Sequence, residues 1–300
     1  VFAETPCELN TEICREILDR AVILATADYK PQNLQIKTQM SYTYNSDHNY
    51  ARINKYSLVL DLYMRQEVYS RKELMELGVS ASQINTLEKH EVLIAQNQEV
   101  QREIKHMFSL HDKEIVLNKE QVYAVQSISE SFDHYDYFLL KGITGSGKTE
   151  VYLNVIEEVL KKGKQVLVLV PEITLIAPMA KRLKSRFDQV AIYHSALSQG
   201  EKFDQYRMIF ENNATIVLGT RSAVFLPLES LGLIVIDEEH DQSYQQTEGV
   251  FYDAKQIAHK RALYHNIPLV LGSATPSIET MYLALNKKIN SKILKALTIV

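Results

Sequence analysis

The sequence predicts an α/β protein with a parallel sheet, preceded by a small, mainly helical domain, and three observations predict it. Six short apolar runs rich in β-branched residues, 137–142, 165–171, 189–194, 215–220, 231–238 and 267–275, recur along the chain. Such near-continuous apolarity over few residues is the pattern of strands buried on both faces. The segments between them are helical: 150–162 places Val151, Val155, Ile156, Val159 and Leu160 on one side, and a repeated strand–helix unit builds a parallel sheet. The third observation is local. Residues 142–149 read GITGSGKT, which fits G-x-x-x-x-G-K-[ST], between the end of an apolar run and the start of a helical segment.

At 300 residues a single core tends to split, so two domains are expected. Hydrophobic residues at 46% and charged residues at 23% match a packed protein rather than a disordered or fibrous one. No stretch approaches the ~20 apolar residues of a bilayer span, and the start, VFAETPCELN, lacks a basic segment followed by an apolar run. A cytoplasmic location without a membrane partner is expected. Cys7 and Cys14 are too few for a disulfide framework or a four-thiolate zinc site. The formal charge of −4 gives no global basic footprint, so nucleic-acid binding has to rest on local sites. The chain opens on Val1 and ends without a closing motif, and it reads as a portion of a longer one.

Ahead of the strand–helix repeats, 1–54 reads as a partial N-terminal segment and linker, with 41–54 polar and turn-prone. In 55–110, Ser70 with Glu73 and Ser80 with Gln83 have capping-box spacing, Gly78 stops the helix between them, and 92–95 is a short strand. Three short helices and a strand predict a winged-helix-like domain. Between 55 and 100 lie five Lys/Arg and seven Asp/Glu, so partner docking and DNA contact stay equally open.

The loop at 142–149 predicts a polyphosphate site. Gly142, Gly145 and Gly147 let the backbone curl around Thr144 and Ser146 so that N–H groups face inward, and the helix start adds its positive dipole end. Lys148 is placed to reach the β- and γ-phosphates and Thr149 to offer its hydroxyl to Mg²⁺, so ATP with Mg²⁺ is the expected cofactor. Such a site needs a second metal ligand and a water activator at the end of a buried strand. The string LIVIDEEH provides Asp237 for the metal and Glu238 for the water; Glu239 reads as a cap or a solvated turn residue.

Further strings carry a family resemblance. LNKEQ at 117–121, VPEITLI at 170–176, GTRSAVFLP at 219–227, DEEH at 237–240 and LGSATPS at 271–277 resemble, in order and density, the first motor lobe of superfamily 2 DNA helicases. The resemblance is greatest to the bacterial replication-restart helicases of the PriA, or primosomal protein N′, family. It implies a RecA-like P-loop lobe over 115–285, with 286–300 a truncated C-terminal segment. It implies that Gln121 contacts adenine, that Thr220 and Arg221 contact a DNA backbone, and that Ser273 and Thr275 couple the γ-phosphate to the DNA face. His240 is placed to hydrogen-bond across to Ser273 and Thr275. A local ion pair for Arg221 and a helix-capping role for the two hydroxyls are the plain alternatives. The loop after DEEH concentrates Tyr244, Phe251 and Tyr252, where the family has an aromatic-rich loop; rings there could stack on bases or pack in the core. Gln245, Gln246 and Phe251 depart from the family's basic residues there.

The resemblance further implies a 3′–5′ DNA helicase at stalled or branched forks. Its implied partners are single-stranded and forked DNA, primosomal proteins and single-strand-binding protein. A second lobe bearing an arginine finger and a zinc module would follow 300, so this chain alone should be a weak ATP hydrolase or none. Two other readings remain open: a nucleotide-gated DNA-binding or partner-docking module without motor activity, and the motor lobe of another superfamily 2 translocase.

Overall fold

Strands buried on both faces require helices on both sides, and the larger of two compact units is built in that way. The computed structural model describes residues 38–45, 56–66, 68–99, 116–286 and 290–293. Among the described residues, 38–99 form one unit and 116–293 the other.

In the smaller unit, β1 (Thr38–Tyr44) is the central strand of an antiparallel sheet, between β2 (Val68–Ser70) and β3 (Leu93–Glu99). Helices α1 (Ser57–Tyr63), α2 (Arg71–Glu76) and α3 (Ala81–Lys89) accompany it. Both capping boxes form: Ser70 with Glu73 and Ser80 with Gln83 each satisfy two helix-end N–H groups reciprocally. The linker expected over 41–54 is corrected at its start, because Ser41 to Tyr44 pair with β3 and Tyr42 is fully buried with Leu74, Ile84 and Leu87. Alternating Tyr and polar residues hid a strand whose hydrophobicity is carried by tyrosine bodies, with the Tyr42 hydroxyl tied to Glu88 and Arg71. The remainder of that stretch, 46–54, lies outside the described residues.

In the larger unit the elements alternate: α4 (Lys119–Ser129), β4 (Tyr137–Lys141), α5 (Lys148–Lys161), β5 (Gln165–Leu169), α6 (Ile173–Lys184), β6 (Val190–Tyr193), α7 (Gln199–Phe210), β7 (Ile216–Gly219) and β8 (Leu231–Ile236). A short hairpin of β9 (Gln245–Gln246) and β10 (Tyr252–Asp253) follows, then α8 (Ala254–His265), β11 (Leu269–Ser273), α9 (Ile278–Leu285) and β12 (Asn290–Ile293). Seven strands form one sheet in the order β12-β4-β11-β8-β5-β7-β6, parallel throughout. Residues alternate between the two faces. Phe138, Leu140, Val166, Val168 and Val235 pack with Ile128 of α4, Val155 of α5 and Leu183 of α6. Leu139, Leu167, Leu169 and Ile236 pack on the other face with Ile209 of α7, Ala258 of α8 and Ala284 of α9. This order sets the C-terminal ends of β4, β11 and β8 side by side. Loops at the ends of neighbouring parallel strands are where open sheets of this class bind ligands.

Candidate nucleotide-binding site

The loop from β4 to α5 takes its shape from its glycines. Gly145 and Gly147 sit at φ +80° and +82°, in the left-handed region that other residues adopt with strain, and a Cβ at Gly142 would strike Ser146 Oγ. Ser146 Oγ is buried without a hydrogen-bond partner among the described residues, and Lys148 is 7% exposed. The Lys148 ammonium donates to Gly142 O at 2.8 Å and lies 3.8 Å from Glu238 Oε1. An orphaned hydroxyl, a buried cation and curled backbone amides fit a phosphate chain. The loop lines a cleft of ≈ 540 Å³ shared with Asn118, Gln121, Arg182, Asp237 and Glu238.

Gln121 is fixed by that loop. Its Oε1 accepts from Asn118 N at 2.9 Å and its Nε2 donates to Ser146 O at 3.3 Å, so the side chain braces the P-loop against the head of α4.

Asp237 directly follows β8. Its N–H donates to Leu169 O at 2.9 Å and its Oδ1 accepts from the Tyr152 hydroxyl at 3.0 Å. Burial, then the adjacent Glu238 charge, pushes the Asp237 carboxyl above the usual range, with the Tyr152 bond and Lys148 opposing. A buried carboxylate raised in this way is a site that gains by meeting a cation. The set fits Mg²⁺, which binds through one or two carboxylates, a hydroxyl and phosphate oxygens rather than an all-protein cage. Glu238 has φ +45°, a left-handed conformation uncommon outside glycine that turns the chain sharply after β8. Its Oε2 lies 3.6 Å from His240 Nδ1, which is 2.8 Å from Ser273 Oγ, and Ser273 Oγ accepts from Thr275 N at 3.0 Å. The acidic pair is thereby joined to the end of β11.

Sequence reasoning undervalued Glu239. It is fully buried: Oε1 accepts from Ser277 N at 2.7 Å, while Oε2 accepts from Ser277 Oγ and Thr280 Oγ1 at 3.1 Å each and lies 3.4 Å from Lys255 Nζ. It ties the end of β8 to α8 and α9. Glu150, also unremarked in the sequence, is buried and holds Arg182 and Arg186 at 2.7 Å each. Neither had a local signal beyond an acid beside a motif.

The residues expected to meet DNA do not behave alike. Tyr244 is fully buried, with its hydroxyl 2.6 Å from Asp237 O and 3.0 Å from Leu169 O, and it is corrected to a core residue that cannot stack on a base. Leu169 O already takes the Asp237 N–H, and Tyr244 brings a further donor to the strand end from inside the apolar layer. Tyr252 is half-buried, edge-on to Phe225 with centroids 5.0 Å apart. Phe251 is 76% exposed in the loop between β9 and β10, directly before β10. Thr220 is buried, and Arg221 Nη1 donates to Ser243 O at 3.2 Å and Gln245 O at 3.1 Å. Backbone carbonyls, rather than a local carboxylate, hold this arginine.

A parallel sheet with a P-loop at one strand end and a DEEH acid pair two strands away defines a P-loop nucleotide-binding class. The chain matches the DEAD/DEAH box helicase family over residues 118–283, and it belongs to that family. It is similar to replication restart protein PriA of Bacillus subtilis, at 47% identity over 196 residues, 61% of this chain and 24% of that protein. It is also similar to PriA of Synechocystis, at 52% identity over 150 residues, 49% of this chain and 18% of that protein. The chain thus spans about a quarter or less of these two relatives. A RecG structure bound to a three-way DNA junction aligns with 61% of this chain and 24% of its own, with TM-score 0.47 and 24% identity.

Proposed function

We propose that the chain carries the ATP-binding first motor lobe of a 3′–5′ DNA helicase that acts at stalled or branched forks in replication restart. The observation that carries this reading is the meeting of Lys148 and Glu238 at 3.8 Å across one cleft, with Glu238 joined through His240 to Ser273. Backbone amides of 143–147 and the Lys148 ammonium bind the phosphates, with Thr144 and Ser146 inside the curl. Thr149 and Asp237 would hold Mg²⁺, which when bound neutralises phosphate charge. Glu238, fixed by its left-handed backbone and by Lys148 and His240, orients water and accepts its proton. Gln121, braced on the P-loop, faces the base end of the same cleft.

In this reading Ser273 and Thr275 sense changes at Glu238 through His240. Arg221 passes them to the loop carbonyls it holds, and Phe251 offers the stacking surface for unpaired bases. Arg182 is the only arginine lining the cleft among the described residues, and Glu150 holds it. The arginine finger, worth about 10³–10⁵ in rate where present, is therefore assigned to a second lobe, as is any zinc module. Primosomal proteins and single-strand-binding protein are the proposed partners, and the cytoplasm is the proposed location.

Glu238→Gln tests the core of this proposal. It should leave Mg²⁺-nucleotide binding intact, measured by calorimetry, and abolish DNA-stimulated ATP hydrolysis in the full-length protein. Hydrolysis at the parent rate would remove Glu238 as the water activator. Nucleotide binding without hydrolysis in the parent would favour a nucleotide-gated binding module.

A further inference from the structure

The metal-side carboxylate has a partner that none of the sequence strings contains. Tyr152 stands four residues after Lys148 and three after Thr149 on α5, so the helix that begins at the P-loop makes it a neighbour of each. Its ring is 2% exposed, and the one hydrogen bond its hydroxyl makes among the described residues goes to Asp237 Oδ1, at 3.0 Å. Room for that hydroxyl comes from a third element. A Cβ on Gly272, in β11, would fall on the Tyr152 hydroxyl and come within 3.2 Å of Asp237 Oδ1. Gly272 has an ordinary backbone conformation, so close approach, not φ, demands glycine here. The next residue is Ser273, the partner of His240.

We propose that Tyr152 is a positioning residue for Asp237. The phenol pins Oδ1 of a carboxylate that lines the cleft, and Gly272 is the space that lets the phenol reach it. The arrangement joins the P-loop helix, the acidic strand end and the strand of Ser273 at a single oxygen. A buried tyrosine that merely found the nearest acceptor would support the fold but not the metal. The two roles separate because a phenylalanine keeps the ring and loses only the donor.

This inference rests on the nucleotide–Mg²⁺ reading of the cleft. Its test is the Mg²⁺ dependence of binding of a fluorescent ADP analogue to the full-length protein, with melting temperature followed in parallel. The parent must bind the analogue more tightly as Mg²⁺ is added; if it does not, the Mg²⁺ reading itself fails and Tyr152 is not at issue. Given that behaviour, Tyr152→Phe should leave metal-free binding unchanged and raise the Mg²⁺ needed for half-maximal tightening about tenfold, the scale of one hydrogen bond to a charged group. Gly272→Ala should raise it at least as much and lower the melting temperature. The Tyr152→Phe/Gly272→Ala pair should melt above Gly272→Ala alone, because the clashing oxygen is gone, with the Mg²⁺ requirement of Tyr152→Phe. If Gly272→Ala does not fold, the Tyr152→Phe titration decides alone. A Tyr152→Phe protein with the parental Mg²⁺ titration would overturn the proposal, as would one that loses metal-free and metal-bound affinity in equal proportion.

Discussion

The two sides of Asp237 are built differently. Toward the P-loop, polar groups are buried and interlocked: Lys148 on Gly142 O, Tyr152 on Asp237, Gln121 on Ser146 O. Toward the β9–β10 hairpin, Tyr244 closes the core, and beyond it Val250 and Phe251 stand 80% and 76% exposed. Buried charges must be mutually satisfied, which makes the first side stiff and preorganised for a ligand of fixed geometry, such as a phosphate chain. An exposed apolar loop makes few demands on its surroundings, and under the proposed function that suits a ligand whose shape varies, such as an unpaired strand. One tyrosine hydroxyl, on the carbonyl of Asp237 at 2.6 Å, joins the two sides.

Breaking that junction should have the largest effect. Tyr244→Ala removes a fully buried ring and leaves the carbonyls of Asp237 and Leu169 without its hydroxyl, so it should destabilise by about 3–5 kcal/mol in denaturant unfolding. A nearly parental unfolding midpoint would return Tyr244 to the surface. Lys148→Ala acts on the stiff side alone. It should weaken nucleotide binding by about 1.5–3 kcal/mol, the range for a charged hydrogen bond, and calorimetry that finds unchanged affinity would remove the phosphate assignment.

On the adaptable side, Phe251→Ala should leave the melting temperature in place while single-strand binding weakens by about 1–3 kcal/mol if a base stacks there. Equal strand affinity in a fluorescence titration would confine the ring to another role. Asp237→Asn sharpens the contrast from within the site. The Asp237 carboxyl sits above its ordinary value of 3.8, so the folded state binds that proton more tightly, and stability is lost as pH rises through the folded value. The charged form therefore destabilises at neutral pH, and Asp237→Asn should melt higher than the parent while losing Mg²⁺-dependent nucleotide binding. A lower melting point would show the charge to be already compensated.

The smallest effect lies away from both sides. Burial, with Arg261 and Lys164 nearby, pushes His265 down to about 4. Unfolded chains take up that proton near 6.5 and the folded one does not, so stability should fall as pH drops from about 6.5 to about 4. His265→Gln should flatten this part of the profile, and an unchanged profile would mean that His265 is solvated.

Much of the site could be read from contiguous strings because phosphate chemistry constrains neighbours. Residues 142–149 must curl within one loop, and Asp237 with Glu238 must leave one strand together, so residue types and spacing carry the information. The six strand positions were legible because burial on both faces leaves a composition visible in a single segment. Gln121, Tyr152, Tyr244 and Glu239 are different. Gln121 meets the P-loop 25 residues on, Tyr152 meets Asp237 85 residues away, Tyr244 meets Leu169 at 75, and Glu239 meets Thr280 at 41. No local pattern distinguishes an aromatic at a loop tip from one that turns into the core. The same holds for β1, whose partners in β3 are about 50 to 60 residues away.

From its sequence alone, this protein is a parallel α/β P-loop lobe with an acidic pair, because strand burial and phosphate cradling are imposed on adjacent residues. Only the tertiary structure decided that Tyr244 belongs to the core, that Arg221 grips a loop, and that Glu239 and Tyr152 make their hydrogen bonds at the ends of β8 and β11. Those outcomes depend on which strand ends the sheet order brings together, and a buried polar group takes its role from the partners waiting there.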